Sequence, residues 1–363
     1  MGRLKDLAMT RLETVAAEDG GPAQRPLEEW EIIYNDATDH VLDNITSLAP
    51  DVAAFSQRAI RFGNKSRLRK LLHNERSHLR KLGQGFRNFD DANVLAESVN
   101  YGLTRDFGQW AGQIKDRSDA PSIIGLPDFL GGIPLRSMTF LGMHARACTI
   151  ASEVSQLARR GFVEGAHGRA RSLYELSTLI AFLSIKDTKP PFELTEKYNL
   201  SAYIEARKEY AERGDDDPFE EFPELETAIR ERWGQTFFKP YGWAASNIGD
   251  GTARQVTFRD IECEIGSEHF RHAYLAMNHA VHAGPIAVIR KFDNRKPLPF
   301  VTGSDVDYVG CAWVMLAASN FLRRAHACVA ASLAPFIDSD LDLTIGVMDK
   351  LCDGAEAEFK KFA

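Results

Sequence analysis

The segment Arg169-Ala-Arg-Ser-Leu-Tyr-Glu-Leu-Ser-Thr-Leu-Ile-Ala-Phe-Leu183 decides the fold class, because apolar residues occur on nearly every side of the helix it would form. At about 100° per residue, Leu173, Ile180 and Leu183 line one side, whereas Phe182 falls on the side of Arg171. A helix that is apolar almost all round is buried among other elements. We therefore predict that residues 163 to 186 form the central helix of an all-α, multi-helix protein.

Helical periodicity continues over most of the chain. Apolar spacing predicts further helices at about residues 3 to 17, 27 to 48, 51 to 62, 66 to 82, 91 to 116, 137 to 160, 195 to 213, 224 to 235, 266 to 283, 304 to 334 and 339 to 361. Two short β candidates, Gln255 to Phe258 and Ile286 to Ile289, interrupt this pattern. Ser304 and Ser339 are the predicted N-caps of the last two helices.

The distribution of Gly and Pro suggests how the chain is divided. Six of these residues lie between Arg117 and Arg136, a density that ends helices. A chain of 363 residues is long enough for two or three domains. The predicted organisation is an N-terminal helical region over residues 1–118, a Gly/Pro-rich linker or lid over 119–136, and a C-terminal helical bundle over 137–363.

Composition and motifs exclude several classes of protein. The net charge of -7 gives no general attraction for nucleic acid or anionic lipid. The sequence starts without a signal-peptide core and has no apolar run of about 20 residues, so we predict a cytoplasmic protein without membrane contact. The five cysteines show no C-x-x-C spacing, and P-loop, G-x-S-x-G and kinase motifs are absent. No cofactor is therefore predicted.

Ionisable side chains stand among apolar ones in two of the predicted helices. Arg171 and Glu175 are four residues apart and can meet on one side of the central helix. Tyr274, Asn278 and His282 follow one another at intervals of four and form one stripe. An imidazole titrates near neutrality and can transfer protons, with Asn278 or Tyr274 fixing its tautomer. These five residues are the predicted catalytic site.

Other interpretations of the same residues remain open. Arg171 and Glu175 could be a buried ion pair that only orients neighbouring helices. His282 could be a capping residue whose charged form the helix dipole favours. A zinc site would have His279, His282 and a remote carboxylate as its only sensible ligands, but H-E-x-x-H is absent and we predict no metal.

One region of the chain is strongly basic. Residues 58 to 87 contain ten Lys and Arg against a single acid, Glu75. On a helix from about 66 to 82, one face is an apolar strip that would pack against the protein. The cations lie on the other faces, where they could bind phosphates. The predicted nucleic-acid-binding residues are Arg67, Arg69, Lys70, Arg76, Arg80 and Lys81. Alternatively, the cations form a solvated face that pairs with the acidic segment 205 to 232, within the chain or across a dimer.

Two of these segments resemble a known family. Gln156-Leu-Ala-Arg-Arg-Gly161 leads to Ala170-Arg-Ser-Leu-Tyr-Glu175, and Tyr274, Asn278 and His282 follow downstream. Together they resemble a bacterial helical family labelled domain of unknown function 5677, over roughly residues 139 to 290. An Arg-x-x-x-Glu helix and a later Tyr-x-x-x-Ser-x-x-x-His helix recur in that family. The resemblance marks Arg171, Glu175, Tyr274 and His282 as site residues, while Asn278 stands where Ser is usual.

The resemblance implies two competing functions. The family is similar in layout to HEPN-type domains, many of which are ribonucleases or toxins of bacterial defence systems. It therefore implies a HEPN-like bundle, a metal-independent ribonuclease, RNA as a partner, and a homodimer or a defence-system partner protein. HEPN-type ribonucleases usually place Arg four to six residues before His; Arg67 with His73 meets this spacing and Arg160 with His167 comes near it, and each is a weak match. The alternative is a non-enzymatic binding, sensor or scaffold protein with a structural polar network.

Overall fold

A computed structural model describes Thr10 and residues 50–115, 132–214, 223–249, 255–282, 284–289, 304–336 and 340–363. These residues form helices and turns, with no strand among them, which confirms the all-α fold class. Their α-helices are α1 (Pro50–Lys115), α2 (Gly132–Arg159), α3 (Val163–Lys186), α4 (Glu193–Arg213), α5 (Pro223–Trp233), α6 (Phe258–Glu264), α7 (Arg271–Val281), α8 (Pro285–Ile289), α9 (Tyr308–Leu333) and α10 (Leu341–Phe359). Apart from Thr10, the helices predicted at 3 to 17 and 27 to 48 lie outside the described residues.

The most unexpected element is α1, a single helix of 66 residues where the sequence predicts three shorter ones. Gly63, Gly83 and Gly85 suggest the breaks, since each glycine costs a helix about 1 kcal/mol. The structure explains Gly85 by packing, because a Cβ there would lie 2.9 Å from the ring of Phe359. Burial of Phe86 and Phe89 on the same stretch offsets the cost of the glycines.

The chain forms two compact units, Met1–Leu71 and Leu72–Ala363. Residues 72–115 of α1 contribute to the core of the second unit. Residues 116–131, most of the predicted linker, lie outside the described residues, and Gly132–Arg136 begin α2. The predicted division into residues 1–118, 119–136 and 137–363 therefore stays a prediction.

Helix α3 lies at the centre of the second unit, as its all-round apolar pattern predicts. It packs against α2, α7 and α9. Tyr174, Phe182 and Leu183 are among its fully buried side chains. Burying such a side chain stabilises the fold by about 1.5–3 kcal/mol. The polar side of α3 is thereby fixed against α7, which carries the other half of the predicted site.

Two local predictions are wrong, and the reasons are physical. Residues 255–258 are not a strand, because Thr257 and Asp260 form a capping box that starts α6 at Phe258. Ile286 to Ile289 belong to the short helix α8, which begins at Pro285.

The caps of the last two helices also differ from the predictions. Asp307, rather than Ser304, caps α9 by accepting from the Gly310 N–H at 2.8 Å. The Ser304 hydroxyl instead accepts from Asn74 Nδ2 at 3.1 Å. Ser339 lies outside the described residues, and Asp340 is the N-cap residue of α10. None of the helices in the described ranges is long and apolar enough to cross a membrane.

Candidate functional site

Arg171, Glu175 and Tyr274 form a closed triangle between α3 and α7. Arg171 Nη2 lies 3.0 Å from Glu175 Oε1 on the next turn of α3. The Tyr274 hydroxyl accepts from Arg171 Nη2 at 3.2 Å and donates to Glu175 Oε1 at 3.0 Å. The structure therefore brings three of the predicted catalytic residues into contact with one another.

The contacts of the triangle shift the pKa values of Tyr274 and Arg171. Burial raises the pKa of the Tyr274 phenol, and the Glu175 carboxylate adds to this rise while Arg171 opposes it. The phenol therefore stays protonated and can donate to Glu175. Burial lowers the pKa of Arg171, but the Tyr274 hydroxyl and the Glu175 charge outweigh that effect and raise it. Arg171 thus stays a permanent cation at the edge of the core.

His282 completes the group from the end of α7. The helix ends at Val281, and the backbone N–H of His282 donates to the Asn278 carbonyl at 3.1 Å, so His282 is the C-cap residue. Its ring Nε2 lies 3.4 Å from Arg171 Nη1, a contact between residues 111 positions apart. Because a guanidinium can only donate, this contact makes Nε2 an acceptor and puts the proton of a neutral ring on Nδ1. Arg171, not Asn278 or Tyr274, is therefore the neighbour that selects the tautomer.

Asn278 is the one predicted site residue that the structure does not join to the others. It lies on the predicted stripe of α7, one turn before His282. Its Oδ1 atom is buried and has no hydrogen-bond partner among the described residues. The predicted role in orienting the imidazole is therefore not supported by a contact, whereas Tyr274 on the preceding turn bonds to both Arg171 and Glu175.

An open groove lies beside two residues of this group, Arg171 and Glu175. It has a volume of about 380 Å³, and its lining residues are Gly165, Gly168, Arg169, Arg171, Ser172, Glu175, Ala280 and Val281. Helices α3 and α7 come close here, since a Cβ on Gly168 would lie 3.4 Å from Val281 Cγ2. The Arg171 guanidinium is therefore accessible from the groove, and His282, which contacts it, is an exposed residue outside the groove lining.

A second polar network, not predicted from the sequence, lies behind Tyr274. The carboxylate of Glu262 on α6 is buried, accepting from the Tyr174 hydroxyl at 2.6 Å and from Arg271 Nη1 at 2.5 Å. The Arg271 guanidinium in turn lies 5.0 Å from the centre of the Tyr274 ring. The signal was available, because Glu262 follows Phe258 by four residues and so shares the buried side of α6.

Arg324 of α9 ties this second network to the core. Its Nη2 donates to the hydroxyls of Ser177 at 2.6 Å and Thr178 at 2.7 Å, and its Nη1 donates to Ser267 Oγ at 2.9 Å. Burial lowers the pKa of Arg324 and, with the Glu262 carboxylate, raises that of Tyr174. Four hydroxyl-bearing side chains and two arginines thereby hold α3, α6 and α9 in fixed positions around the site.

The remaining histidines have other environments. His167, which follows Arg160 in the sequence, has its Nδ1 2.8 Å from the Val163 carbonyl and its ring beside Trp313. Within the described ranges, no three His, Cys, Asp or Glu side chains are grouped as metal ligands.

The basic helical segment is exposed, and its apolar strip does not pack as predicted. The six predicted nucleic-acid-binding residues are exposed on α1: Arg67, Arg69, Lys70, Arg76, Arg80 and Lys81. Leu68 and Leu72 of the strip are exposed as well, which corrects the expectation of a packed face. Lys81 Nζ lies 4.3 Å over the ring of Tyr308. This segment therefore presents cations and apolar side chains together.

The acidic segment makes ion pairs of its own. Arg207 bonds to Glu226 at 3.0 Å and Arg230 bonds to the same carboxylate at 2.8 Å. Arg76 and Arg80 have no ion pair with any described residue. The described ion pairs therefore do not support pairing of Arg76 and Arg80 with this segment.

Comparison with known proteins gives one result that bears on this site. Residues 138–297 match the model of a family described as a family of unknown function (DUF5677). The resemblance predicted over residues 139 to 290 is thus confirmed, and the match includes Arg171, Glu175, Tyr274 and His282. No curated protein and no solved structure matched the chain. The HEPN-like layout of the bundle stays a prediction.

Proposed function

We propose that Arg171 and His282 form the active site of a metal-independent ribonuclease, which acts as an RNA-cleaving toxin or effector in bacterial defence. One observation carries the proposal: the contact of 3.4 Å between Arg171 Nη1 and His282 Nε2, at the edge of an open groove. It joins a permanent cation to an imidazole, which can accept and return a proton, and these are the two functions that cleavage of a phosphodiester requires.

The proposed step assigns each atom a role. When RNA displaces the Arg171 contact, His282 Nε2 accepts the proton of the ribose 2′-hydroxyl, and O2′ attacks the neighbouring phosphorus. The bond from phosphorus to O5′ breaks, and the imidazolium returns the proton to O5′. The products are a 2′,3′-cyclic phosphate end and a 5′-hydroxyl end, so no co-reactant is consumed. Arg171 donates to the phosphate oxygens, whose negative charge grows in the transition state.

Glu175 and Tyr274 would position Arg171 rather than react. Their hydrogen bonds hold Nη2, which leaves Nη1 directed to the imidazole. A guanidinium held in this way loses little conformational freedom when a phosphate binds. Second-network residues such as Glu262 support the same arrangement through Arg271 and Tyr274.

We propose further that the exposed cations of α1 bind the RNA backbone. Two features support this proposal: the segment has ten Lys and Arg against one acid, and these side chains are exposed. Binding of this kind weakens as salt rises, because each phosphate contact releases a counterion. A variant with Arg67, Arg69, Lys70 and Arg76 replaced by Glu should bind RNA far more weakly in an anisotropy titration at low salt. Equal binding by that variant would refute this part of the proposal.

One observation favours the second candidate, a non-enzymatic scaffold or sensor. The charge of Arg171 is already balanced by Glu175, and Tyr274 is bonded to both, which is what an internal strut between α3 and α7 requires. On that view the protein would act through a partner protein or as a homodimer. The two candidates differ in what the loss of His282 should do.

The deciding experiment compares cleavage with stability. The purified chain is incubated with mixed RNA, single-stranded DNA and duplex DNA, with and without EDTA. His282→Ala is assayed beside His272→Ala, a matched control that removes an exposed histidine from the same helix. We expect cleavage of RNA alone, unaffected by EDTA, lowered about 100-fold or more by His282→Ala and unchanged by His272→Ala. Melting temperatures should be similar in all three proteins.

Other outcomes would contradict the ribonuclease. Loss of cleavage in EDTA would mean that a metal performs the chemistry. Equal cleavage by His282→Ala would assign the activity to another group or to a contaminant. Absence of cleavage of every substrate, with His282→Ala merely less stable than the wild type, would favour the scaffold.

A further inference from the structure

The groove beside Arg171 differs from a typical base-binding pocket in what lines it. None of the described residues that line it is aromatic, so the lining itself offers no ring on which a base could stack. Glycine, alanine and serine give it a shallow floor, and Val281 is its largest apolar side chain. A ligand here would be held by polar groups close to the helix backbone.

The polar groups of the groove are of both charges. Arg169 and Arg171 contribute two guanidinium groups, Glu175 contributes a carboxylate, and Ser172 contributes a hydroxyl. Arg169 is ion-paired with Glu153, and Arg171 Nε has no hydrogen-bond partner among the described residues. An isolated phosphate would be attracted by the arginines and repelled by Glu175. A ligand with an anionic group and hydroxyl groups could pair with the arginines through the anionic group and donate to Glu175 through a hydroxyl.

We infer that this groove binds the ribose-phosphate of one nucleotide, the one on the 3′ side of the cleaved bond, whose 5′-phosphate is the phosphate that is cleaved. This phosphate contacts Arg171 and Arg169, the 2′-hydroxyl of the same nucleotide, which is not the attacking hydroxyl, donates to Glu175, and the base extends away without specific contact. This inference rests on the proposed function for its link to cleavage, and adds a substrate class to it. It makes two predictions: binding distinguishes ribose from deoxyribose, and it is nearly independent of the base.

Gly165 offers a way to close the groove without harming the fold. It is an exposed residue in the first turn of α3, and the atoms nearest a Cβ there are Leu157 side-chain carbons at 3.6 and 3.7 Å, an ordinary contact distance. Leucine also has a better helix propensity than glycine. Gly165→Leu should therefore fill the groove and leave the melting temperature unchanged or raised. Gly142→Leu is the matched control, since Gly142 is exposed in α2 and a Cβ there meets no atom within 4 Å.

The test uses 5′-monophosphates, which contain no phosphodiester to cleave. Titration calorimetry would compare uridine, adenosine and 2′-deoxyuridine 5′-monophosphate on the wild type, Gly165→Leu and Gly142→Leu. We expect uridine and adenosine forms to bind within about threefold of each other, and the deoxy form about tenfold more weakly, because it lacks a hydrogen bond to a carboxylate. Gly165→Leu should weaken binding of the ribonucleotides about tenfold. Gly142→Leu should bind like the wild type.

The outcomes separate this inference from the ribonuclease. No binding by the wild type, equal binding by Gly165→Leu, or equal affinity for the ribose and deoxyribose forms would overturn the groove assignment, even if the protein cleaves RNA. The expected binding pattern in a protein that cleaves no RNA would uphold the groove and overturn the ribonuclease. RNA cleavage that Gly165→Leu lowers about tenfold would uphold both.

Discussion

Two polar networks of the protein contain histidine, and they differ in their exposure to solvent. One joins Arg171, Glu175, Tyr274 and His282 at the edge of an open groove. The other, around His144 and His326, lies in the core and has almost no exposed surface. Both connect residues far apart in the sequence. What separates them is access, because a buried network can only orient helices, whereas an accessible one can also meet a ligand.

The buried network is a complete chain of hydrogen bonds between neutral groups. Asn100 Nδ2 lies 3.4 Å from His144 Nδ1, His144 Nε2 lies 3.3 Å from His326 Nδ1, and His326 Nε2 lies 3.0 Å from Thr344 Oγ1. The Asn100 Nδ2 group can only donate, so each ring accepts through Nδ1 and donates through Nε2. A further proton would set one N–H against another. Burial lowers the pKa of His144, with a contribution from His326, to about 3, and that of His326 to about 4.

Acid should therefore weaken the fold through the buried pair, and this is the largest effect we expect. In the unfolded chain both histidines take up protons below their ordinary pKa of about 6.5, while in the folded chain they stay neutral until about pH 4 or 3. The unfolded state binds more protons, so stability falls as pH decreases from 6.5 towards 4, by up to about 2.7 kcal/mol per pH unit for the two rings. Denaturant unfolding at several pH values measures this slope. His326→Leu should reduce it by about 1.4 kcal/mol per pH unit, and an unchanged slope would contradict the assignment.

The next effect is the loss of the buried ring itself. His144→Ala should lower the free energy of unfolding by about 3 kcal/mol, because it leaves a cavity and removes a partner from both Asn100 and His326. RNA cleavage, measured well below the melting temperature, should not change. A cleavage defect in the fully folded variant would show that the two networks are coupled.

Arg171→Lys should have the reverse effect: RNA cleavage should fall, whereas stability should change little. The lysine keeps the charge that Glu175 requires, so the free energy of unfolding should change by less than about 1 kcal/mol. It cannot donate to Tyr274, His282 and a phosphate in the same planar arrangement, so RNA cleavage should fall about 30-fold. Cleavage rates and denaturant unfolding on the same preparation test both parts. Full activity in a strongly destabilised protein would identify Arg171 as a strut.

A smaller effect is expected at Glu262. This residue is buried, like the His144 network, but it is linked to the groove residues through Arg271 and Tyr274. Glu262→Gln keeps the shape but removes the charge that faces Arg271, and should cost about 1–2 kcal/mol of stability. Cleavage should fall less than about tenfold, since Arg271 reaches the site only through Tyr274. Glu264→Gln is the control: its ion pair with Lys186 is partly exposed, and its loss should cost about 0.5 kcal/mol. Equal losses in both variants would contradict a special role of Glu262.

Asn278→Ala should have the smallest effect of all. Its Oδ1 is buried without a partner among the described residues, so removing the amide gives up no hydrogen bond observed there. The free energy of unfolding should change by less than about 0.5 kcal/mol, and RNA cleavage by less than about threefold. A strong cleavage defect would restore the role that the stripe on α7 suggests.

The sequence predicts the grouping of Arg171, Glu175, Tyr274 and His282 better than it predicts the long helix. Residues 171 and 175 are fixed four apart by the helix that carries them, and their polar side on an otherwise apolar α3 has to face another polar group. Tyr274 and His282 were identifiable for the same reason. The length of α1 was not, because Gly85 packs against Phe359, a residue about 270 positions away, and no local pattern contains that contact.

The polar networks show a second limit of prediction. The hydrogen-bond partners of Glu262, His144 and His326 depend on which helices pack together. The spacing of these residues within any one helix does not reveal those partners. His282 shows the same limit within the predicted site. Its place on the stripe suggested Asn278 as a partner, whereas packing of α7 on α3 brings Arg171 to the ring. Helix periodicity thus indicates which side chains are buried, and tertiary packing decides their partners.

The most direct measurement is a double-mutant cycle in RNA cleavage between Arg171→Ala and His282→Ala. If the two residues act together on one phosphate, each single variant should lose about 100-fold or more, and the double variant should be little worse than the more damaged single one. The melting temperatures should not follow this order. Losses that multiply in the double variant, or activity that falls only in step with stability, would contradict the existence of a joint Arg171–His282 site.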